Sequence, residues 1–548
     1  MSEYTEVTGN VIVIAPGLTR LDLPLLEKIG ESLILYQNST LTSLNLGNLR
    51  SIDGWLYASQ NAMLPHFEGL SHLSSIGEDL SVTDNPALVG FTGLENLDTI
   101  SGTVYISGND SLTNLSGLEQ LASIDGALVI SSSPKLTSLK GLSSLSSVGD
   151  NLNIRSNPAL ADIGDLAALS SVGGDLSISF CHELTSLAGL DGLQSLAGSL
   201  HIAYNNSLAS IEGLRNLTHF GSGVTIQNNP VLTSLEGLQH LPSVSSLSII
   251  DNNALTDCLA LNHITDLTHS LSIENNGLLT HLDWLSQLST LGGNLLIADN
   301  LSLTSLAGLG QLTETGDSLI IEGNWNLENL NGLDKVEHIG AWLNIKKNHK
   351  LTSLAALGQL RSIGESLTIS GNNSLPNLKG LSGLSEIKDL VVTNNPSLQN
   401  LDGLDNMTRT NYLLITNNGA LTELDALRNL SAIDQDLNIS ENPVLARLEL
   451  NQLPHLDSNL TLSNNTALKS IAMQNLTYIN RDFQINQNVA LETISFPMLG
   501  RVYRDFQISS NPALPSCQAI ALRNQIQAET GIGGEIFITG NDDLATCP

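Results

Sequence analysis

The chain has 548 residues, and its 54 acidic residues against 22 Lys and Arg give a formal net charge of −32 at pH 7. This charge argues against nucleic acid and anionic lipid as partners, because both require a basic surface. Hydrophobic residues make up 41% and aromatic residues only 4%, which excludes general disorder and favours an aliphatic core. No apolar run reaches the ~18 residues of a membrane helix, so direct insertion into a membrane is not expected.

The first segment, residues 1–14, is predicted to be a lead-in strand. Its beginning, from Met1 to Glu6, is acidic and polar and lacks the basic and apolar regions of a signal peptide. Either the protein is not exported by that route, or the chain is a mature or trimmed form.

A repeat occupies residues 15–511. The segments from Leu136 to Asn157 and from Leu351 to Asn372 both follow the consensus L-T-S-L-x-G-L-x-x-L-x-S-I-G-x-x-L-x-I-x-x-N. Between Asn85 and Asn511, 17 of 19 equivalent places hold Asn in steps of 23 or 24, and Ser133 and Cys181 take the other two. Weaker turns extend the series to Asn38 and Asn61. We predict a structural ladder that includes Asn85, Asn109, Asn157, Asn205, Asn229, Asn252, Asn276, Asn300, Asn324, Asn348 and Asn372.

The repeat predicts a mainly β fold. A unit of this length cannot bury its own apolar face, whereas stacked units can. In the L-x-I segment Leu and Ile point inward and the residue between them points outward. A short strand that recurs once per turn pairs in parallel with its copies, which predicts a single elongated parallel β-helix of about 23 turns, a monomeric rod. A buried Asn amide satisfies the bend and the next Asn, and the recurring Gly residues allow the corners.

The unit L-x-S-I-G-x-x-L-x-I-x-x-N-x-x-L resembles the receptor L-domain, a right-handed β-helix with leucine-rich-repeat character. This domain is found in the insulin and epidermal growth factor receptors, in fungal cell-wall proteins and in bacterial surface proteins. The resemblance covers about residues 10–545 and implies a right-handed solenoid at a cell surface or outside the cell. Receptor L-domains have only a handful of turns and adjoin cysteine-rich modules. The chain is therefore more similar to the long bacterial or fungal surface proteins, and the receptors' ligands do not carry over.

Residues 512–548 are predicted to form a C-terminal cap, because the repeat breaks after residue 511. The segment from Ser516 to Glu529 predicts a short amphipathic helix with Ile520 and Ile526 on its inner side. Cys517 and Cys547 flank this unit and are either separate thiols or a disulfide. We predict the disulfide, because a small terminal unit gains stability from a cross-link. The pair is also similar to the Cys pair of C-terminal caps in bacterial L-domain surface proteins.

The other two cysteines, Cys181 and Cys258, lie about three turns apart, which corresponds to roughly 14 Å. This separation exceeds the reach of a disulfide. Both are predicted to be buried free thiols.

Catalytic and metal-binding motifs are absent from the sequence, which contains no G-x-S-x-G, H-E-x-x-H, C-x-x-C or P-loop. His240 and His263 occupy equivalent places on neighbouring turns, but no third ligand accompanies them. We therefore expect a protein that is not an enzyme and that has no cofactor and no metal.

The outward position of the L-x-I strands holds the candidate binding residues. Most occupants from Ser81 onward are small or polar, but Leu296 and Ile320 form one apolar pair of neighbours and Val391 with Leu414 a second. Exposed apolar groups with a polar rim mark recognition faces, although β-propensity alone also fills a strand position with such residues. Three Trp residues lie within the same few turns, Trp284, Trp325 and Trp342. The predicted ligand-binding residues are Leu296, Ile320, Trp325, Trp342, Val391 and Leu414.

These observations predict a non-enzymatic recognition or adhesion scaffold that binds a protein or a carbohydrate on a sheet face of the solenoid. The alternative is a structural component of a cell wall or surface layer without a discrete ligand. A compact apolar patch on one sheet face would favour the first interpretation, and a uniformly polar face the second.

Overall fold

The structure is a computed structural model that describes residues 4–242, 244–545 and 547. It is mainly β, with 30% strand and 7% helix, and the strands form a parallel β-solenoid. The predicted fold class is confirmed. The chain divides into two compact units, Met1–Leu267 with Asn275–Gly277 and Thr268–Glu274 with Leu278–Pro548, which we call unit 1 and unit 2. The boundaries at residues 14 and 511 stay predictions.

Within each unit the L-x-I segments pair in parallel with the strand one turn away, and we call the sheet that they form the long-strand sheet. In unit 1 its strands are Val11–Val13, Leu33–Tyr36, Leu56–Ser59, Leu80–Thr83, Val104–Ser107, Leu128–Ser131, Leu152–Arg155, Leu176–Ser179, Leu200–Ala203, Val224–Gln227 and Leu247–Ile250. In unit 2 they are Leu271–Glu274, Leu295–Ala298, Leu319–Glu322, Leu343–Lys346, Ser366–Ser370, Glu386–Thr393, Arg409–Thr416, Leu437–Ser440, Leu460–Ser463, Phe483–Asn486, Phe506–Ser509 and Ile536–Thr539.

Shorter strands precede the long strands in most turns. In unit 1 they are Glu6–Val7, Lys28–Ile29, Ser51–Ile52, Ser75–Ile76, Thr99–Ile100, Ser123–Ile124, Ser147–Val148, Ser171–Val172, Ser195–Leu196, His219–Phe220 and Asp266–Leu267. In unit 2 they are Thr290–Leu291, Glu314–Thr315, His338–Ile339, Ser362–Ile363, Ala432–Ile433, His455–Leu456, Tyr478–Ile479, Arg501–Val502 and Gly531–Ile532. Some turns have a third strand, as in Arg20–Asp22, Ser43–Asn45, Arg447–Glu449, Ser470–Ala472 and Thr493–Ser495.

The core consists of stacked aliphatic columns. In the strand Leu319–Glu322 the first and third residues, Leu319 and Ile321, are fully buried, and they pair in register with Leu343 and Ile345 of the next turn. Because apolar side chains meet in register from turn to turn, each turn covers the apolar face that its neighbour would otherwise expose.

The Asn ladder satisfies the backbone where each long strand ends. Asn395 is fully buried, and its Nδ2 donates to the carbonyls of Ile369 at 3.0 Å and Thr393 at 2.9 Å. Its Oδ1 accepts the backbone N–H of Asn372 at 3.0 Å. The preceding residue, Asn394, has a left-handed φ of 57° that turns the chain inward. One amide therefore serves the end of its own strand and the end of the strand in the preceding turn.

Ser133 and Cys181 replace Asn in this ladder. The Ser133 hydroxyl donates to the Ser131 carbonyl at 3.3 Å. The Cys181 thiol lies 3.6 Å from the Ser179 carbonyl and 4.0 Å from the Ile154 carbonyl. Both residues still donate their backbone N–H to the next ladder Asn at 3.0 Å. Since a thiol is a weak donor, the ladder is weaker at Cys181 than at an Asn.

Two kinds of corner lead out of the ladder. One is a glycine corner, as at Gly117, whose φ is +110° and whose N–H donates to Glu119 Oε2 at 2.8 Å; a Cβ at this position would collide with the backbone of Phe91. The other is a short 3₁₀ helix, and in several turns its first N–H donates to a side chain two residues earlier, as Glu212 does to Ser210 Oγ at 3.2 Å. The 3₁₀ helices are Glu68–Leu70, Gly164–Leu166, Glu212–Leu214 and Leu259–Leu261 in unit 1, and Asp283–Leu285, Ala307–Leu309, Ala355–Leu357 and Asp425–Leu427 in unit 2.

The α-helix of unit 2 spans Ser516–Ala528. It buries Ala519, Leu522 and Ile526, which are spaced three and four residues apart. Ile520 is 38% exposed, so the prediction that it lies on the inner side is wrong. Its position, one residue after Ala519, rotates it by about 100° away from the buried face. In the described part of the chain, no helix has the length and apolar character to cross a bilayer.

The four cysteines fall into two classes. Cys517 and Cys547 form a disulfide with a Cα–Cα distance of 6.0 Å, which ties the end of the chain to the α-helix. Cys181 and Cys258 are free and buried. Burial raises the pKa of Cys181 to about 12. Burial also raises the pKa of Cys258, and the charge of Asp257 adds to that effect.

Candidate functional site

The outward side of the long-strand sheet carries one side chain per turn in register, at the second residue of each L-x-I segment. In unit 1 these residues are Ile12, Ile34, Tyr57, Ser81, Tyr105, Val129, Asn153, Ser177, His201, Thr225 and Ser248. In unit 2 they are Ser272, Leu296, Ile320, Asn344, Thr368, Val391, Leu414, Asn438, Thr461, Gln484, Gln507 and Phe537.

The first predicted pair, Leu296 and Ile320, lies in register on adjacent strands, and both side chains are half-buried. The outward neighbours on either side are Ser272 and Asn344. The structure therefore brings these two predicted residues together as a small apolar patch with polar borders.

The second predicted pair, Val391 and Leu414, is also in register and half-buried. Thr368 and Asn438 border it. The two eight-residue strands Glu386–Thr393 and Arg409–Thr416 support this pair.

The Trp residues are not brought together. Trp325 and Trp342 are each 51% exposed, but Trp325 lies past the end of one long strand and Trp342 directly before the start of the next. The Trp325 ring contacts His349 with 5.3 Å between centroids. Trp284 is 1% exposed and belongs to the core. The predicted Trp residues therefore border opposite ends of the strands and do not form one aromatic cluster.

A larger apolar surface lies in unit 1 and was missed by the sequence reasoning. We call it the Tyr57 face and define it as Ile12, Ile34, Tyr36, Trp55 and Tyr57. Three of these residues are outward neighbours in register, and the rings of Tyr36 and Tyr57 are 6.3 Å apart. Ile12 is 57% exposed and Trp55 is 44% exposed. The sequence signal for this face is the outward position of the L-x-I strands, but the sequence prediction considered that position only from Ser81 onward.

A groove of about 430 Å³ lies beside the Tyr57 face. Ile34 and Trp55 form part of its wall, together with the carboxylates of Glu31, Asp53 and Glu78. Asp53 makes an ion pair with Lys28 at 2.9 Å, and its hydrogen bond and charge raise the pKa of that lysine.

A second groove in unit 1, of about 460 Å³, follows the corners of three successive turns. Its wall includes Glu212, Arg215, Asp257 and the 52% exposed side chain of Leu259. Arg215 makes an ion pair with Asp191 at 2.7 Å. The guanidinium of Arg215 is thus already engaged.

An aromatic pair departs from the polar pattern at the residue before the ladder. Phe180 and Tyr204 occupy this position in adjacent turns with φ of 56° and 58°, and their rings stack 4.6 Å apart at an angle of 3°. Bulky residues are rare in this conformation. His201 lies outward in the strand that leads to Tyr204, and burial lowers its pKa.

His240 and His263, which the sequence places at equivalent positions of neighbouring turns, lie in unit 1. His263 Nε2 is 2.8 Å from the Leu241 carbonyl. Within residues 4–242, 244–545 and 547, no group of three or more His, Cys, Asp or Glu side chains is arranged to hold a metal ion.

No family model and no curated protein matches the chain. Among solved structures, the chain is similar to a leucine-rich-repeat protein of Leptospira interrogans, with 19% identity over 66% of this chain and 94% of that chain and a TM-score of 0.32. At this TM-score the similarity supports no inference about function.

Proposed function

We propose that the protein is a non-enzymatic recognition and adhesion scaffold that binds a protein or glycan ligand through the outward side of its long-strand sheet. We place it at a cell surface or outside the cell. The observation that supports the proposal is the pairing of apolar residues between polar neighbours in the outward column, with Leu296 and Ile320 between Ser272 and Asn344.

The polar residues of the outward column help to distinguish a recognition surface from residues that are apolar only because of their β-propensity. Thr461 and Gln484 occupy the same column in neighbouring turns and pair in the same parallel register. The backbone therefore does not require an apolar side chain at this position. Apolar residues that stay half-exposed in adjacent turns favour a contact surface over β-propensity alone.

The test uses the full chain on an array of cell-surface proteins and on a glycan array. The double variant Leu296→Asp with Ile320→Asp is expected to lose binding, because it places two charges on the contact surface. The matched control, Thr461→Asp with Gln484→Asp, adds the same charges at two neighbouring positions of the same column and is expected to bind normally. Circular dichroism of both variants verifies that the fold is intact.

Two outcomes contradict the proposal. If the unmodified chain binds neither array, a structural role without a discrete ligand is favoured. If the control pair loses binding as completely as the apolar pair, the added charge and not the apolar patch is responsible.

A further inference from the structure

We propose that the Tyr57 face and the adjacent groove bind a segment of a partner protein in which an arginine or lysine lies between apolar side chains. The inference rests on the proposed recognition function and deepens it by naming a site in unit 1 and the chemistry of its partner.

The apolar half of the site is the Tyr57 face. Ile12, Ile34 and Tyr57 are outward neighbours on three consecutive strands, and Tyr36 lies two residues beyond Ile34 with its ring 6.3 Å from that of Tyr57. Such a surface is covered best by apolar side chains spaced two residues apart, because the strands of the sheet present their own side chains with that period.

The cationic half of the site is the groove. Trp55, 44% exposed, supplies an aromatic wall, and Glu31 and Glu78 supply carboxylates. The third carboxylate, Asp53, is already paired with Lys28. Among the described residues, neither Glu31 nor Glu78 makes an ion pair, and Glu31 accepts a hydrogen bond from the neutral Asn10 amide. An arginine or lysine head beside Trp55 gains both a cation–π contact and carboxylate partners, and its aliphatic stem packs on Ile34.

Charge complementarity selects this occupant over others. Anionic lipid is repelled by the same carboxylates, and an apolar segment without a cation leaves their charge unneutralised. A protein segment that alternates apolar residues with one arginine or lysine satisfies the face and the groove together.

Trp342 provides a matched control within the chain. It precedes the long strand Leu343–Lys346 as Trp55 precedes Leu56–Ser59, and it is similarly exposed at 51%. Its outward neighbour is the polar Asn344, whereas that of Trp55 is Tyr57. Both substitutions to Ala therefore remove a similarly exposed indole, but only Trp55 belongs to the Tyr57 face.

The experiment titrates the full chain by calorimetry with the acetylated peptide Gly-Leu-Val-Arg-Val-Leu-Gly and with the same peptide containing citrulline in place of arginine. Citrulline keeps the shape of the side chain and removes its charge. We expect the citrulline peptide to bind at least about tenfold more weakly. Trp55→Ala is expected to weaken the arginine peptide by about tenfold, and Trp342→Ala to leave its affinity unchanged.

A second pair of variants tests the carboxylates. Glu31→Gln with Glu78→Gln is expected to weaken binding of the arginine peptide and to reduce its dependence on salt. Glu328→Gln with Glu337→Gln makes the same change in net charge in unit 2 and is expected to change neither.

The inference is overturned if the arginine peptide does not bind, if the citrulline peptide binds equally well, or if Trp342→Ala weakens binding as much as Trp55→Ala. Glycan binding that Trp55→Ala abolishes also overturns it, because the occupant would then be a sugar. These failures are separate from failure of the proposed function. If the peptide fails while Leu296→Asp with Ile320→Asp still loses array binding, only the site in unit 1 is wrong.

Discussion

Removal of one ladder amide should cost several times more stability than removal of a comparable exposed amide. Asn395→Ala deletes the donor to the Ile369 carbonyl and the acceptor of the Asn372 N–H, at a position with no solvent exposure. A buried polar group left without its partner costs about 1–3 kcal/mol. Two such groups predict a loss of about 4 kcal/mol, within a range of about 2–6 kcal/mol.

Asn406→Ala is the control, because Asn406 is exposed and donates to the Ser382 carbonyl at 2.7 Å. Since water replaces this bond when it is lost, the expected cost is below about 1 kcal/mol. The reverse change, Cys181→Asn, places an amide where the thiol contacts the Ile154 carbonyl and the backbone N–H of Asn157. It is expected to stabilise unit 1 by about 1–2 kcal/mol.

Urea unfolding followed by circular dichroism measures the stability of each variant. Because repeat arrays unfold locally as well as globally, hydrogen exchange of peptides that cover Asn372 and Asn395 provides a local measurement. Faster exchange should be confined to the turns adjacent to Asn395. Equal costs for Asn395→Ala and Asn406→Ala would show that the ladder amides contribute no more than surface hydrogen bonds, and the reasoning would then be refuted.

Three further predictions follow from the corners and the cysteines. Gly117→Ala should destabilise unit 1 by more than about 2 kcal/mol in urea unfolding, because the added Cβ collides with the backbone at a positive φ. The control Gly90→Ala, whose Cβ would have its nearest neighbour at 3.5 Å, should be nearly neutral. Equal effects of the two substitutions would contradict this prediction. Cys181 and Cys258 should resist a thiol reagent at pH 8 until the chain is unfolded, since burial raises both pKa values; labelling of the native protein would contradict their burial. Cys517→Ser should make the α-helix more sensitive to limited proteolysis while the exchange rates of unit 1 stay unchanged, and an unchanged cleavage pattern would show that the disulfide does not hold the helix.

The columns of the solenoid could be predicted from the sequence because a fixed period determines register. Once Asn372 and Asn395 are recognised as equivalent, every residue between them has an assigned place, inward or outward. The inward burial of Leu319 and Ile321 and the outward position of Leu296 and Ile320 follow from this assignment alone.

Other features depend on geometry that the period does not determine. Trp284 lies in the same few turns as Trp325, yet its place inside a 3₁₀ helix turns it into the core. Two kinds of corner fit the same consensus, so the groove beside Glu212 and Asp257 could not be foreseen. The Tyr57 face lies in the first turns, which depart most from the consensus, so the repeat pattern does not predict the outward position of its residues.

The short reach of the ladder bonds has a kinetic consequence. Each Asn bonds to groups that lie about one turn away along the chain, as Asn395 does to Ile369 and Asn372. Each new turn therefore closes a loop of about the same number of residues, whatever the total length of the chain. A growing chain on the ribosome can add one finished turn after another to a nucleus already formed, so synthesis and folding proceed in the same direction and at a pace that does not slow as the protein lengthens.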